Sequence, residues 1–256
     1  MPVHPTAIVD PRAELDPSAV IGPYVVIEGP VRIGARTRVL ASAYLTGATE
    51  IGADNVIHPF AVLGHEPQDL AFAVAPTGLR IGDGNVFREH SEVHRGTQPD
   101  TSTEIGNGNF VMSHAHVAHN CRIGNNVILA NGVNLAGHVR IDDYAIIGGM
   151  TPVHQYVAIG CHAFVGGGSR GAQDVPPYVK AAGNPLRACG LNSVGMERRG
   201  IPAEVRLEMK RAYRILYRSQ LNVMPALDRI TRELRPYPEI HEFVEFVRAS
   251  ERGIVR

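Results

Sequence analysis

An apolar residue returns every six positions over most of this chain. Stepping by six from Val3 to Val165 visits 28 positions, and 25 of them hold Val, Ile, Leu or Phe. The exceptions are Asp69, Ala75 and Pro99. A chain that is 44% hydrophobic overall does not place its apolar residues this way without a repeating structural unit behind it. The residue after the anchor is often Gly, as at Gly22, Gly34, Gly52, Gly64, Gly82, Gly106, Gly124, Gly148, Gly160 and Gly166, which reads as backbone freedom for frequent turns. Four after the anchor the residue is usually small, as at Ala19, Thr37, Ala43, Ala61, Ser91, Ala115, Cys121, Ala145 and Ala163. One large and one small inward residue per hexad fit a narrow prism. Three hexads make a triangular coil of 18 residues, and coils stack at about the 4.8 Å strand spacing. The expected fold is a parallel β-helix, in which stacked coils satisfy one another's backbone hydrogen bonds and bury a continuous core.

Two stretches interrupt the anchors without losing their phase. Residues 64–80 read as an external loop of two or three hexads, and residues 97–103 as a smaller excursion. Loops carried on a rigid scaffold are where binding concentrates. After about residue 190 the composition changes. Residues 197–256 hold 22 of the 50 charged residues and only Gly200 and Gly253 among 27 glycines. Val205, Met209, Ala212, Tyr213 and Leu216 recur at helical spacing, as do Ile240, Phe243, Val244 and Val247. The organisation expected is a β-helix over 1–190 and a small α-helical domain over 191–256.

Composition narrows the function classes. Lys+Arg and Asp+Glu are 25 each, which argues against a nucleic-acid coat or a polybasic membrane binder. Cys121, Cys161 and Cys189 are too few, and odd in number, for a secreted disulfide framework. The start MPVHPTAIVD lacks the basic and apolar regions of a signal peptide, and no 18-residue apolar run offers a membrane span. The expectation is a cytoplasmic protein.

Chemistry concentrates in the histidines. Eight of the 12, from His90 to His162, fall within 73 residues. Residues 119, 137 and 155 are successive steps of 18, so His119, Gly137–His138 and His154–Gln155 stack on one edge of the prism. His94 and His116 reach that edge only around a corner or across a subunit boundary. Three readings fit. The imidazoles could decorate a solvated surface. A metal-binding β-helix hydratase would need three of them on one ion, with His58 and His94 as the starting pair, but the spacing offers Pro99 where a third ligand belongs. A neutral imidazole could instead act as general base beside backbone N–H groups that hold an oxyanion, with Gly137 allowing close approach of a carbonyl.

The segments HVAHN (116–120), ILANGVNLAGHV (128–139), AIIGGMTPVHQ (145–155), AQDVPPYV (172–179) and GLNSVGMERRG (190–200), with PQDL (67–70) and HRGT (94–97), resemble UDP-N-acetylglucosamine O-acyltransferases. That family uses acyl carrier protein as donor and begins lipid A synthesis. The resemblance spans essentially the whole chain. It implies a left-handed β-helix, a homotrimer with active sites between neighbouring subunits, no metal, and no cofactor beyond the phosphopantetheine carrying the acyl group. It implies that His119 is the general base and that Gly137 supplies the oxyanion N–H. Gln68 and Asp69, with His94 and His116, would line the sugar and catalytic pocket. His138, His154 and Gln155 would shape it. Asn192, Arg198 and Arg199 would hold the nucleotide, and Gly167 would set the acyl-chain length.

The chain departs from the family pattern at the catalytic pair, where His-Asp is usual and His119–Asn120 stands here. An Asp both orients the imidazole and favours its charged form; Asn only orients it. Ala71 replaces the usual Lys after the loop motif, and Val194 an acidic residue after Asn192. The combination is similar to a subgroup that uses a 3-amino UDP-sugar, so hydroxyl and amine acceptors both remain open.

Overall fold

The computed structural model describes residues 3–73 and 75–256. Short strands wind into three sheets that form the sides of a triangular prism, parallel throughout except for the last pair of the third sheet, Val179–Ala182 with Arg187–Leu191, which is antiparallel. The first sheet runs from Ile8–Val9 to Pro152–Val153, the second from Glu14–Leu15 to Ala158–Ile159, and the third from Val20–Ile21 through Phe164–Val165 to Val179–Ala182 and Arg187–Leu191. Neighbouring strands pair 18 residues apart, as in Ile8↔Val26 and His116↔Asn134. The winding is that of a left-handed β-helix. The anchors form its core: Ile27, Leu45, Leu63, Phe87, Leu135 and Ile147 are at most 1% exposed. The small residues four further on complete it, with Ala61, Ser91, Ala115 and Cys121 fully buried.

The phase survives the excursions because each adds whole hexads. Leu63 pairs with Val93, 30 residues away, and Val93 with Val117, 24 away. The first insertion is therefore two hexads and the second is one. Strands Val62–His65 and Gly78–Ile81 extend into both ends of the first span, leaving 66–77 as the loop proper. Val74, within that loop, lies outside the described residues.

The glycines after the anchors have a different role from the one expected. Of those named above only Gly64 has positive φ, at +84°. The others are required by space: a Cβ on Gly34 would stand 2.6 Å from the Gly52 carbonyl carbon, and one on Gly160 would stand 2.5 Å from Pro177 Cδ. The left-handed corner residue is instead third after the anchor, and it carries a side chain at Tyr24, Phe60, His90, His114, Asn120, His138, Tyr144, Tyr156 and His162, all near φ +60°. Several of these side chains stack coil on coil, as Phe60, His90 and His114 do at 5.1 and 4.9 Å. A second ladder lies inside the prism: Asn55, Asn85 and Asn109 are buried, and each Oδ1 accepts from the backbone N–H of the next coil.

After the strand Arg187–Leu191 the chain forms four helices, α1 Ser193–Arg198, α2 Ala203–Arg218, α3 Val223–Glu233 and α4 Pro238–Arg248. The apolar faces read from sequence pack inward, with Met209, Ala212 and Phe243 fully buried. The helices are fastened to the last coils through the Tyr178 hydroxyl on Glu242 (3.0 Å) and Ser250 on Asp174 (2.7 Å). No helix among the described residues is long and apolar enough to cross a membrane.

Candidate active site

The corner between the first and second sheets brings the 18-residue series together. The His119 ring lies close against Gly137, so that a Cβ there would fall 2.5 Å from Cε1 and 2.6 Å from Nε2. His138 meets His119 edge-on at 5.2 Å and stacks on Tyr156 at 4.7 Å. Burial, and then the neighbouring His119, hold the His138 imidazole below its ordinary value, while Asp69 of the loop acts in the opposite sense. Gln68 beside it is exposed, as are His154 and Gln155 one coil beyond Gly137.

Asn120 organises the corner. It adopts φ +58°, a conformation that Asn tolerates better than most residues. Its Oδ1 accepts from the Thr97 N–H (3.1 Å) and hydroxyl (2.9 Å), and lies 3.0 Å from His119 Nδ1. Its own N–H donates to the buried Thr103 hydroxyl at 2.8 Å. An oxygen can only accept, so His119 Nδ1 carries the proton and Nε2 keeps a lone pair.

At this corner the N–H two residues after the anchor donates to no described residue at His119, Gly137 and Gln155 alike. At the corner between the second and third sheets, the equivalent N–H groups of Ala53, Asp83, Asn107 and Asn125 donate to an Asp or Asn side chain of the next coil. No described residue accepts a hydrogen bond from Gly137 N–H. It remains a free donor on the residue that the His119 ring packs against.

His94 and His116 approach the corner from the strand side. His116 lies three residues before His119, and Thr97 of the run His94–Thr97 bonds Asn120. Glu92 sits between the two rings, 2.8 Å from His94 Nε2 and 2.9 Å from His116 Nδ1. His58 does not join them; it lies 3.2 Å from Glu89, whose carboxyl is lowered to about 2, chiefly by hydrogen bonds from Arg88.

The remaining expected residues lie elsewhere. Asn192, Arg198 and Arg199 face the third sheet, where a cleft of ≈ 520 Å³ is bounded by Ile128, Ile146, Phe164 and Lys180. Asn192 is also structural, capping α1 by accepting from Gly195 N–H and donating to the His162 carbonyl. Arg199 stacks over Tyr144 at 4.5 Å. Gly167 is exposed at the corner between the third and first sheets. Within one chain these groups therefore occupy different edges of the prism from His119.

Thr97, Thr103, Glu92 and Arg95 were not singled out by sequence reasoning. Arg95 pins the loop that carries Gln68 and Asp69. It donates to Thr77, the Gly64 carbonyl and Glu66, and lies 5.6 Å from the Phe72 ring centre. The run HRGT contains both Arg95 and Thr97, and was the available signal.

Such a corner on a hexad-repeat prism defines a hexapeptide-repeat acyltransferase. Residues 102–137 match the bacterial transferase hexapeptide (six repeats) profile, and residues 174–255 match the profile of UDP-N-acetylglucosamine O-acyltransferase, domain 2. The chain is similar over its whole length to the UDP-N-acetylglucosamine O-acyltransferase of Moraxella catarrhalis, with 41% identity, 100% of each chain covered and a TM-score of 0.97. The Acinetobacter baumannii LpxA structure also shows 41% identity over 100% of both chains, with a TM-score of 0.96. The UDP-N-acetylglucosamine acyltransferase of Bacteroides fragilis shows 38% identity over 99% of this chain and 100% of that one, with a TM-score of 0.97. The chain belongs to the UDP-N-acetylglucosamine O-acyltransferase family.

Proposed function

We propose that this chain moves a 3-hydroxyacyl group from the phosphopantetheine arm of acyl carrier protein to the 3-hydroxyl of UDP-N-acetylglucosamine, the step that begins lipid A synthesis. The observation that carries the reading is the pairing of His119 with a free Gly137 N–H. His119 Nε2 takes the proton of the sugar hydroxyl as its oxygen attacks the thioester carbon. The Gly137 N–H stabilises the oxyanion that forms. Collapse breaks the carbon–sulfur bond, and the imidazolium returns its proton to the departing thiolate. Asn120 keeps His119 in the competent tautomer, as a neutral acceptor rather than a carboxylate.

Other site residues take positioning and binding roles. Asp69 and Gln68 enter from the loop, with His116, His138, His154 and Gln155 around the sugar. Arg198 and Arg199 supply charge for the diphosphate, and Asn192 sets the start of α1 beside them. Because these groups and Gly167 occupy other edges of the prism, one chain does not close the site. This supports a homotrimer in which each site is shared by two neighbours. Gly167, exposed and without a side chain, leaves room for a long acyl chain. The neutral Asn120 favours one second reading, transfer to the amine of a 3-amino-3-deoxy UDP-sugar.

The test crosses both UDP-sugars with acyl carrier proteins bearing 3-hydroxyacyl chains of graded length, with products read by mass. Acylation of UDP-N-acetylglucosamine at the 3-hydroxyl is expected. Product from the amino sugar alone would transfer the assignment to the second reading, and no product from either would end both.

A further inference from the structure

Glu92 has no part in the chemistry above, yet it is built into the approach to the corner. It faces outward at the register position beside His116. Each carboxylate oxygen engages one imidazole, Oε1 with His94 Nε2 and Oε2 with His116 Nδ1. The two rings meet edge-on with centroids 5.0 Å apart. An ionised carboxylate only accepts, so both ring nitrogens carry protons. Burial pushes the Glu92 carboxyl up, but the bonds from His94 and His116 outweigh it and hold it below its ordinary value. Burial holds His94 below its ordinary value as well, which keeps it neutral near pH 7.

The two imidazoles differ in what they can reach. His94 is 1% exposed and its Nδ1 is buried without a partner, so it cannot face a ligand. His116 is 17% exposed on its side chain and stands three residues from His119, within about 10 Å along the strand. With Nδ1–H committed to Glu92, neutral His116 presents Nε2 as an acceptor.

We propose that His94 and Glu92 are positioning residues acting through His116. His94 clamps one carboxylate oxygen, the other fixes the His116 tautomer, and His116 Nε2 accepts a hydrogen bond from a hydroxyl or amide N–H of the acceptor sugar. This rests on the sugar site argued above, and it takes His94 out of direct contact with the sugar. The same three residues bring ligand-type atoms within 4.8 Å of one another, the spacing of a possible metal site. The two contacts made by Glu92 are nevertheless of hydrogen-bond length, which favours protons between the groups.

The experiment is Glu92→Gln, with Glu92→Asp as the conservative variant that retains a carboxylate. An amide offers one acceptor and one donor, so it cannot hold both rings as they are. Two-bond ¹H–¹⁵N spectra should show wild-type His116 protonated at Nδ1 and Glu92→Gln shifted toward the Nε2–H form. In steady-state assays the variant should raise KM for the UDP-sugar about tenfold, the worth of one hydrogen bond, with kcat changed far less, and Glu92→Asp should recover part of it. An Nε2–H tautomer for His116 in the wild type would overturn the proposal. So would an unchanged KM in Glu92→Gln, or one equivalent of zinc in wild-type protein that is lost in the variant. The spectra need no turnover, so absence of acyl transfer by the wild type would defeat the functional reading separately from this one.

Discussion

Gly137→Ala isolates the geometry of the corner from its chemistry. Gly137 does not have positive φ, so Ala fits its backbone, and the N–H and the His119 imidazole both remain. The new methyl would lie 2.5 Å from His119 Cε1, whereas ordinary contact begins at 3.4 Å. The ring must therefore move by roughly 1 Å, and a displacement of that size in a catalytic group costs about 100-fold in turnover. The obstructing atoms belong to a side chain, so the ring gives way while the coil stays intact. The assay is initial-rate transfer from 3-hydroxyacyl acyl carrier protein to UDP-N-acetylglucosamine, with a thermal melt alongside. Expected is a fall in kcat of about two orders of magnitude at a nearly unchanged melting temperature. Full turnover by a folded Gly137→Ala protein would refute the claim that the position of His119 over Gly137 matters.

Arg95→Ala should release the loop it holds. Hydrogen exchange in peptides covering 66–77 should accelerate and KM for the sugar nucleotide should rise, and unchanged exchange would remove Arg95 from its pinning role. Gly167→Met should shift the preferred donor to a shorter acyl chain; its Cβ approaches the Gly149 and Gly148 backbone no closer than 3.2 Å, so the side chain fits with slight adjustment, and an unchanged optimum across graded donors would exclude a length-setting role. Burial holds His94, His138 and His162 below the ordinary imidazole value of 6.5. Below that pH the unfolded chain binds protons that the folded chain refuses, so stability must fall as pH falls through this window. The melting temperature should drop between pH 7 and 5, and the slope should become shallower in His162→Tyr, since Tyr already occupies the adjoining rungs at Tyr144 and Tyr178. A flat profile would contradict the burial argument.

The prism is legible because its period is covalent arithmetic. Insertions of whole hexads left Ile81 and Val165 in the same phase as Val3, and the stacking of 119, 137 and 155 followed from the coil length alone. Other features depend on contacts between coils that are separated by insertions. The glycines after the anchors marked turns, but their need is clearance, which shows only once Gly52 lies on Gly34. The Asn55–Asn85–Asn109 ladder crosses intervals of 30 and 24 residues and so breaks the 18-residue rule that would have revealed it. Thr97 reaches Asn120 from within the second excursion, and Glu92 meets His116 across the same added hexad. The density of histidines in sequence also has a structural part: His90 and His114 belong to a stacked corner ladder, and His162 lies between Tyr144 and Tyr178.

The central claim is that His119 acts as the base of acyl transfer, and single-turnover chemistry of His119→Ala tests it most directly. His119 is only partly buried and lies outside the apolar core, so its removal should leave the coil folded. With saturating UDP-N-acetylglucosamine and 3-hydroxyacyl acyl carrier protein, the account predicts a loss of about 10²–10⁴-fold in the rate of ester formation, with the melting temperature and nucleotide affinity close to wild type. A folded His119→Ala protein that forms the ester at the wild-type rate would contradict it.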